Sequence, residues 1–146
     1  MAKKENTAAT EKVLTVTQPD YKRLTSLIQD MHGNKSIDKK YLSYLGLELQ
    51  KADVIDSRKI TPEFITMNSV MDVEFLQSGR KMELRLVYPQ EADFTKGLIS
   101  VLSPLGCALL GYKAGDIIEF EAPAGTQKVH VEKVVYQPEA NGEDLL

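Results

Sequence analysis

The chain has 146 residues, a net charge of −3, a single cysteine and no tryptophan. That length allows one domain, or one domain with a small appendage, and buries roughly 70% of the unfolded surface, so a core forms without covalent staples. One cysteine excludes an intrachain disulfide, the acidic balance argues against strong general affinity for a nucleic-acid backbone, and no apolar run reaches the roughly 18 residues of a membrane span.

Residues 1–13 are polar and lack the apolar stretch of a signal peptide, so they read as a disordered tail on a cytoplasmic protein. Residues 14–56 read as an antiparallel helical hairpin, a short coiled coil. Tyr21, Leu24, Ile28 and Met31 recur at three- and four-residue spacing, and so do Leu42, Leu45, Leu49 and Ala52. Thr17 is placed to cap the first helix, Gly33-Asn34 to break it, and Ser36 or Asp38 to cap the second. Arms of about 14 residues project only about 20 Å at 1.5 Å per residue. Residues 57–64 read as a linker. The charge divides there: residues 1–56 carry nine basic against eight acidic side chains, and residues 57–146 nine against thirteen.

Residues 65–137 read as an antiparallel sheet domain with one short helix, making the whole an α+β chain. Met71, Val73 and Phe75 alternate with Asp72 and Glu74, while Met82, Leu84, Leu86 and Tyr88 alternate with Glu83 and Arg85. A tight turn at Ser78-Gly79 would pair Phe75 with Met82, Val73 with Leu84 and Met71 with Leu86. It would also set Asp72 against Arg85 and Glu74 against Glu83. A loop over 89–97 leads to a strand over 98–102. A helix over 104–110 follows, with Ser103 as its cap, Pro104 at its first position and Gly111 in the left-handed position that ends it. Strands over 117–121 and 128–136 are joined by a turn at 123–126, and the broken alternation near Glu132-Lys133 predicts a bulge. Residues 138–146 read as a loosely held polar tail.

No enzyme signature stands out. His32 and His130 are far apart and lack metal-ligand spacing. They read as a solvated loop residue and a structural strand residue, and Cys107 reads as a small core residue rather than a nucleophile. There is no glycine-rich phosphate loop and no nucleophile elbow. The expectation is therefore no catalytic residue, no metal and no cofactor.

The run Ser103-Pro104-Leu105-Gly106, leading through Ala108-Leu109-Leu110-Gly111 to Gly115-Asp116, resembles the C-terminal domain of the Gre transcript-cleavage factors. Segments 65–69, 86–89 and 136–140, with Gly142 and Leu145-Leu146, resemble a branch of that superfamily with a short hairpin. The resemblance implies an FKBP-like antiparallel sheet domain and RNA polymerase as partner, bound at the rim of its secondary channel in competition with Gre factors and without stimulating cleavage. It implies a polymerase contact at Ser103, Pro104, Leu105 and Gly106, residues that capping and packing explain equally well. At the hairpin tip stand Asp30, Asn34, Lys35 and Asp38. Cleavage factors need carboxylates there to hold Mg²⁺, whereas residues 34–40 carry a net charge of +2. Asp30 and Asp38 also read as a solvated helix end and a cap. A monomer with no sequence-specific nucleic-acid contact and no membrane contact is expected. Two alternatives are a cleavage factor acting through Asp30 or Asp38 and an FKBP-like prolyl isomerase. The missing tryptophan weighs against the isomerase, and fold does not carry function.

Overall fold

A computed structural model describes residues 13–143. All but Val13 of the expected N-terminal tail, and residues 144–146, lie outside the described residues. The first element is a strand that periodicity does not reveal. β1 (Thr15–Thr17) pairs in parallel with β2 (Asp53–Ile55), Thr15 opposite Asp53 and Thr17 opposite Ile55. Three residues are too few for an alternation to register.

Between these strands stand the two expected helices. α1 (Gln18–Met31) starts at Thr17, whose Oγ1 accepts the Asp20 amide at 3.3 Å, and it buries Leu24 and Leu27. α2 (Lys39–Gln50) starts at Asp38, whose Oδ1 accepts the Lys40 amide at 2.9 Å, and it buries Leu42, Leu45 and Leu49. The hairpin is bolted at its base: the buried carboxylate of Asp20 accepts the Met67 amide at 3.0 Å. Leu24 and Leu45 belong to the same buried cluster as Met71, Leu84, Leu109 and Ile118, so one core runs from the hairpin into the sheet.

The sheet comprises β3 (Val70–Phe75), β4 (Arg80–Val87), β5 (Leu98–Ser100), β6 (Ile117–Ala122) and β7 (Gly125–Tyr136), ordered β5-β4-β3-β7-β6. It corrects the expectation in two respects. First, β5 runs parallel to β4. The connector between them holds two 3-10 turns, Pro89–Glu91 and Phe94–Lys96, and carries the chain back to the starting edge instead of folding it as a hairpin. Second, the β3–β4 register differs by two residues, with Val73 opposite Met82 and Met71 opposite Leu84. The turn takes four residues, 76–79. The Ser78 and Gly79 amides both donate to the Phe75 carbonyl, at 3.3 and 2.8 Å, with Gly79 at φ 73°. A two-residue shift preserves both faces, so Met71, Val73, Leu84 and Leu86 are buried as the alternation requires. It also replaces the unfavourable Glu74–Glu83 pair with Glu74 opposite Lys81, while Asp72 faces Glu83 rather than Arg85.

The bulge falls where the alternation breaks: Glu132 is the extra residue between the Val73–Val131 and Asp72–Lys133 pairs. The C-terminal segment departs from expectation because it is docked through Glu143. Buried Gln137 donates from Nε2 to the carbonyls of Thr61 and Phe64, at 2.8 and 2.9 Å, and so pins the linker. Glu139 Oε1 accepts the Thr66 hydroxyl at 2.7 Å, and the Tyr136 hydroxyl donates to Glu143.

Candidate functional site

The segment after β5 forms a shoulder at one end of the sheet. Ser103 accepts the Gly106 amide at 3.0 Å and donates from its hydroxyl to the Ser100 carbonyl at 2.7 Å, so one side chain both caps α3 (Pro104–Leu109) and ties it to β5. Gly106 has no room for a side chain: a Cβ there would lie 1.9 Å from the Ser100 carbonyl oxygen. Gly111, at φ 83°, ends the helix beside Leu14, whose Cδ1 a Cβ would meet at 2.3 Å.

The four residues implied as a partner contact divide into two pairs. Ser103 and Pro104 are half-exposed, while Leu105 and Gly106 are buried, so the first pair offers surface, Leu105 forms part of the wall of an adjoining groove and Gly106 holds the segment in place. Beside Ser103 and Pro104 opens a groove of about 490 Å³, lined chiefly by Phe75, Phe94, Leu98, Ile99 and Phe120. Phe94 stands 57% exposed, an aromatic that folding alone does not require at the surface. The sequence reading missed it because it sits in an irregular connector; a phenylalanine among Asp93, Thr95 and Lys96 was the available signal.

Cys107, on the inner side of α3, is buried. Desolvation, helped by the nearby Glu48 carboxylate, pushes its thiol up to about 12. An ordinary thiol titrates near 8.5, so at mildly alkaline pH the thiolate fraction falls by on the order of a thousandfold. Native protein is therefore expected to react with a thiol-specific disulfide reagent at least that much more slowly than unfolded protein, as stopped-flow absorbance would show. Equal rates would place the thiol at the surface.

At the far end of the hairpin, Asn34 Oδ1 accepts the Ser36 amide at 2.9 Å and the Ser36 hydroxyl at 2.6 Å, making a closed turn. Asp38 is engaged as the cap of α2. Asp30 and Lys35 are exposed. Among the described residues, no three metal-ligating side chains converge at this tip. The one such convergence among the described residues lies on the sheet, where Glu74, His130 and Glu132 meet. Nor is any described helix long and apolar enough to cross a membrane.

The family described as "Transcription elongation factor, GreA/GreB, C-term" matches residues 60–136, from the pinned linker to the end of β7. The chain is 36% identical over 104 residues to the "Regulator of nucleoside diphosphate kinase" of Escherichia coli (strain K12), a match covering 70% of this chain and 76% of that protein. It is 38% identical over 93 residues to "Transcription elongation factor GreA" of Nitratidesulfovibrio vulgaris (strain DP4), covering 64% of this chain but only 56% of the relative. Among solved structures, the "Prokaryotic transcription elongation factor GreA/GreB from Nitrosomonas europaea" superposes with a TM-score of 0.71 at 34% identity, covering 84% of this chain and 99% of that one.

Proposed function

The chain belongs to the GreA/GreB C-terminal family, and from that premise we propose that it is an RNA polymerase-binding regulator that docks at the secondary-channel rim and competes with Gre factors without stimulating transcript cleavage. The shoulder formed by Ser103 and Pro104, with the groove beside it, supplies the docking surface. Leu105 contributes to the groove wall, and Gly106 acts from beneath by seating α3 on β5.

The absence of cleavage rests on the tip. A Mg²⁺ held for phosphoryl chemistry needs carboxylate oxygens directed at the ion. Asp38 commits a carboxylate oxygen to the Lys40 amide, and Lys35 and Lys39 flank it in sequence, so the tip segment stays net positive. With 14 residues in α1 and 12 in α2, the arm reaches only about 20 Å. The protein acts as a monomer, reads no nucleic-acid sequence and works in the cytoplasm.

The observation that carries the docking half is exposed Phe94 at the mouth of a groove shared with Ser103 and Pro104. Phe94→Asp is expected to weaken binding to core polymerase by at least about tenfold, the scale of an aromatic anchor at an interface. Its melting curve should match that of the parent protein. The assay is fluorescence anisotropy of the labelled protein with core polymerase, with and without excess Gre factor from the same source. Displacement by the Gre factor, and no shortened transcript in stalled complexes, is the expected result. Undiminished binding by the variant would remove the groove from the interface, and shortened transcripts would restore the cleavage role.

A further inference from the structure

We infer that Glu74, His130 and Glu132 form a binding site for a divalent transition-metal ion of the zinc class on the outer face of the sheet. The inference does not depend on the polymerase reading, because the site lies on β3 and β7 and uses neither the shoulder nor the tip.

The placement follows from register. Glu74 on β3 is directly opposite His130 on β7, and Glu132 lies two residues further along β7, on the same face as His130. Glu132 is also the bulged residue, and a bulge re-aims its side chain relative to its neighbours. One ligand atom from each of the three lies within 4.8 Å of the other two, and all three residues are half-buried. Metal–ligand bonds of about 2.0–2.2 Å put tetrahedral ligands roughly 3.4 Å apart, so side-chain torsions alone can close the site around an ion.

The donor set selects the ion. Two carboxylates neutralise a dication, and the imidazole nitrogen favours zinc and its neighbours over Mg²⁺ or Ca²⁺, which take oxygen. Three protein ligands leave a fourth position for water. The backbone positions are fixed by the ladder between β3 and β7, so an ion here would clip the two central strands together. One cation competes for the site: Lys81 Nζ lies 3.4 Å from Glu132 Oε2, and Lys81 is also the register partner of Glu74. Its side chain is 65% exposed, so it can swing into solvent when a metal arrives.

The test is Zn²⁺ titration of the full chain by calorimetry, with the histidine ring resonances followed by NMR. The expected result is one equivalent bound at micromolar affinity, a shift of the His130 ring but not of His32, and no response to Mg²⁺. His130→Ala and Glu74→Gln should each weaken binding by at least about tenfold, since disturbing even an outer partner of a metal ligand costs that much. Lys81→Gln should move the other way and tighten binding, because it removes the competing cation. An absence of binding to the parent protein would overturn the inference. So would unchanged affinity in His130→Ala, a Lys81→Gln variant that binds more weakly, or an equal response to Mg²⁺.

Discussion

Gly106→Ala is expected to destabilise the protein by about 3 kcal/mol or more, the upper range of single substitutions, because no side chain can move out of its way. The new Cβ would meet the Ser100 carbonyl oxygen at 1.9 Å and its carbon at 2.7 Å, both of them backbone. Relief requires α3 to lift off β5. That motion breaks the bond from the Ser103 hydroxyl to the Ser100 carbonyl and exposes Leu105 and Leu109. Urea unfolding followed by circular dichroism measures the loss. If the proposed docking surface is right, polymerase binding should fall with it, because Ser103 and Pro104 ride on the displaced helix. A loss below about 1 kcal/mol, an ordinary value for a point mutant, would mean that α3 does not sit directly on the strand.

Leu45→Ala is the second large effect, with an expected cost of about 2–5 kcal/mol, the range for emptying a buried leucine site. Leu45 is 1% exposed and lies on α2, yet it lines a small space with Cys107, Leu110 and Tyr112 from the sheet domain. If the hairpin were an independent arm, this change would melt the arm and spare the sheet. A continuous core predicts instead one calorimetric transition, lowered by roughly 2–4 °C per kcal/mol for a chain of this size. Two separate transitions would show that the hairpin folds on its own.

The two helices, their caps and the α3 turn were legible because each is written in local chemistry. Thr17, Asp38 and Ser103 cap where their side chains reach a nearby amide, and the leucine stripes repeat at helical spacing. The sheet faces were legible for the same reason, since strict alternation survives any even shift in register. What escaped the reading depends on distance in sequence or on direction. A two-residue turn at Ser78-Gly79 would need a positive φ at Ser78, which of the two only Gly79 adopts, and the alternation is blind to that choice. The parallel course of β5 depends on how the connector crosses over. The convergence of Glu74 with His130 requires knowing that β3 is flanked by β7 as well as β4. The segment 103–106 was legible as a capped helix start, but the exposure of its residues was not: Leu105 and Gly106 share a motif with Ser103 and Pro104, yet only the latter pair is part-exposed. The C-terminal residues looked uncommitted because polar side chains such as Gln137 and Glu139 conceal their partners, which lie more than seventy positions upstream.

The parallel pairing of β1 with β2 gives the arm a closed foot. The strand leading into the first helix and the strand leaving the second are held side by side by backbone hydrogen bonds, so both ends of the hairpin are anchored whatever lies between them. Matched turns can be added or deleted near the Gly33-Asn34 loop with no change at the foot, each residue pair altering the reach by about 1.5 Å. Arm length is thus separable from the way the arm is anchored. Insertions and deletions at the tip offer a lineage a way to tune how far the hairpin extends while its base stays constant.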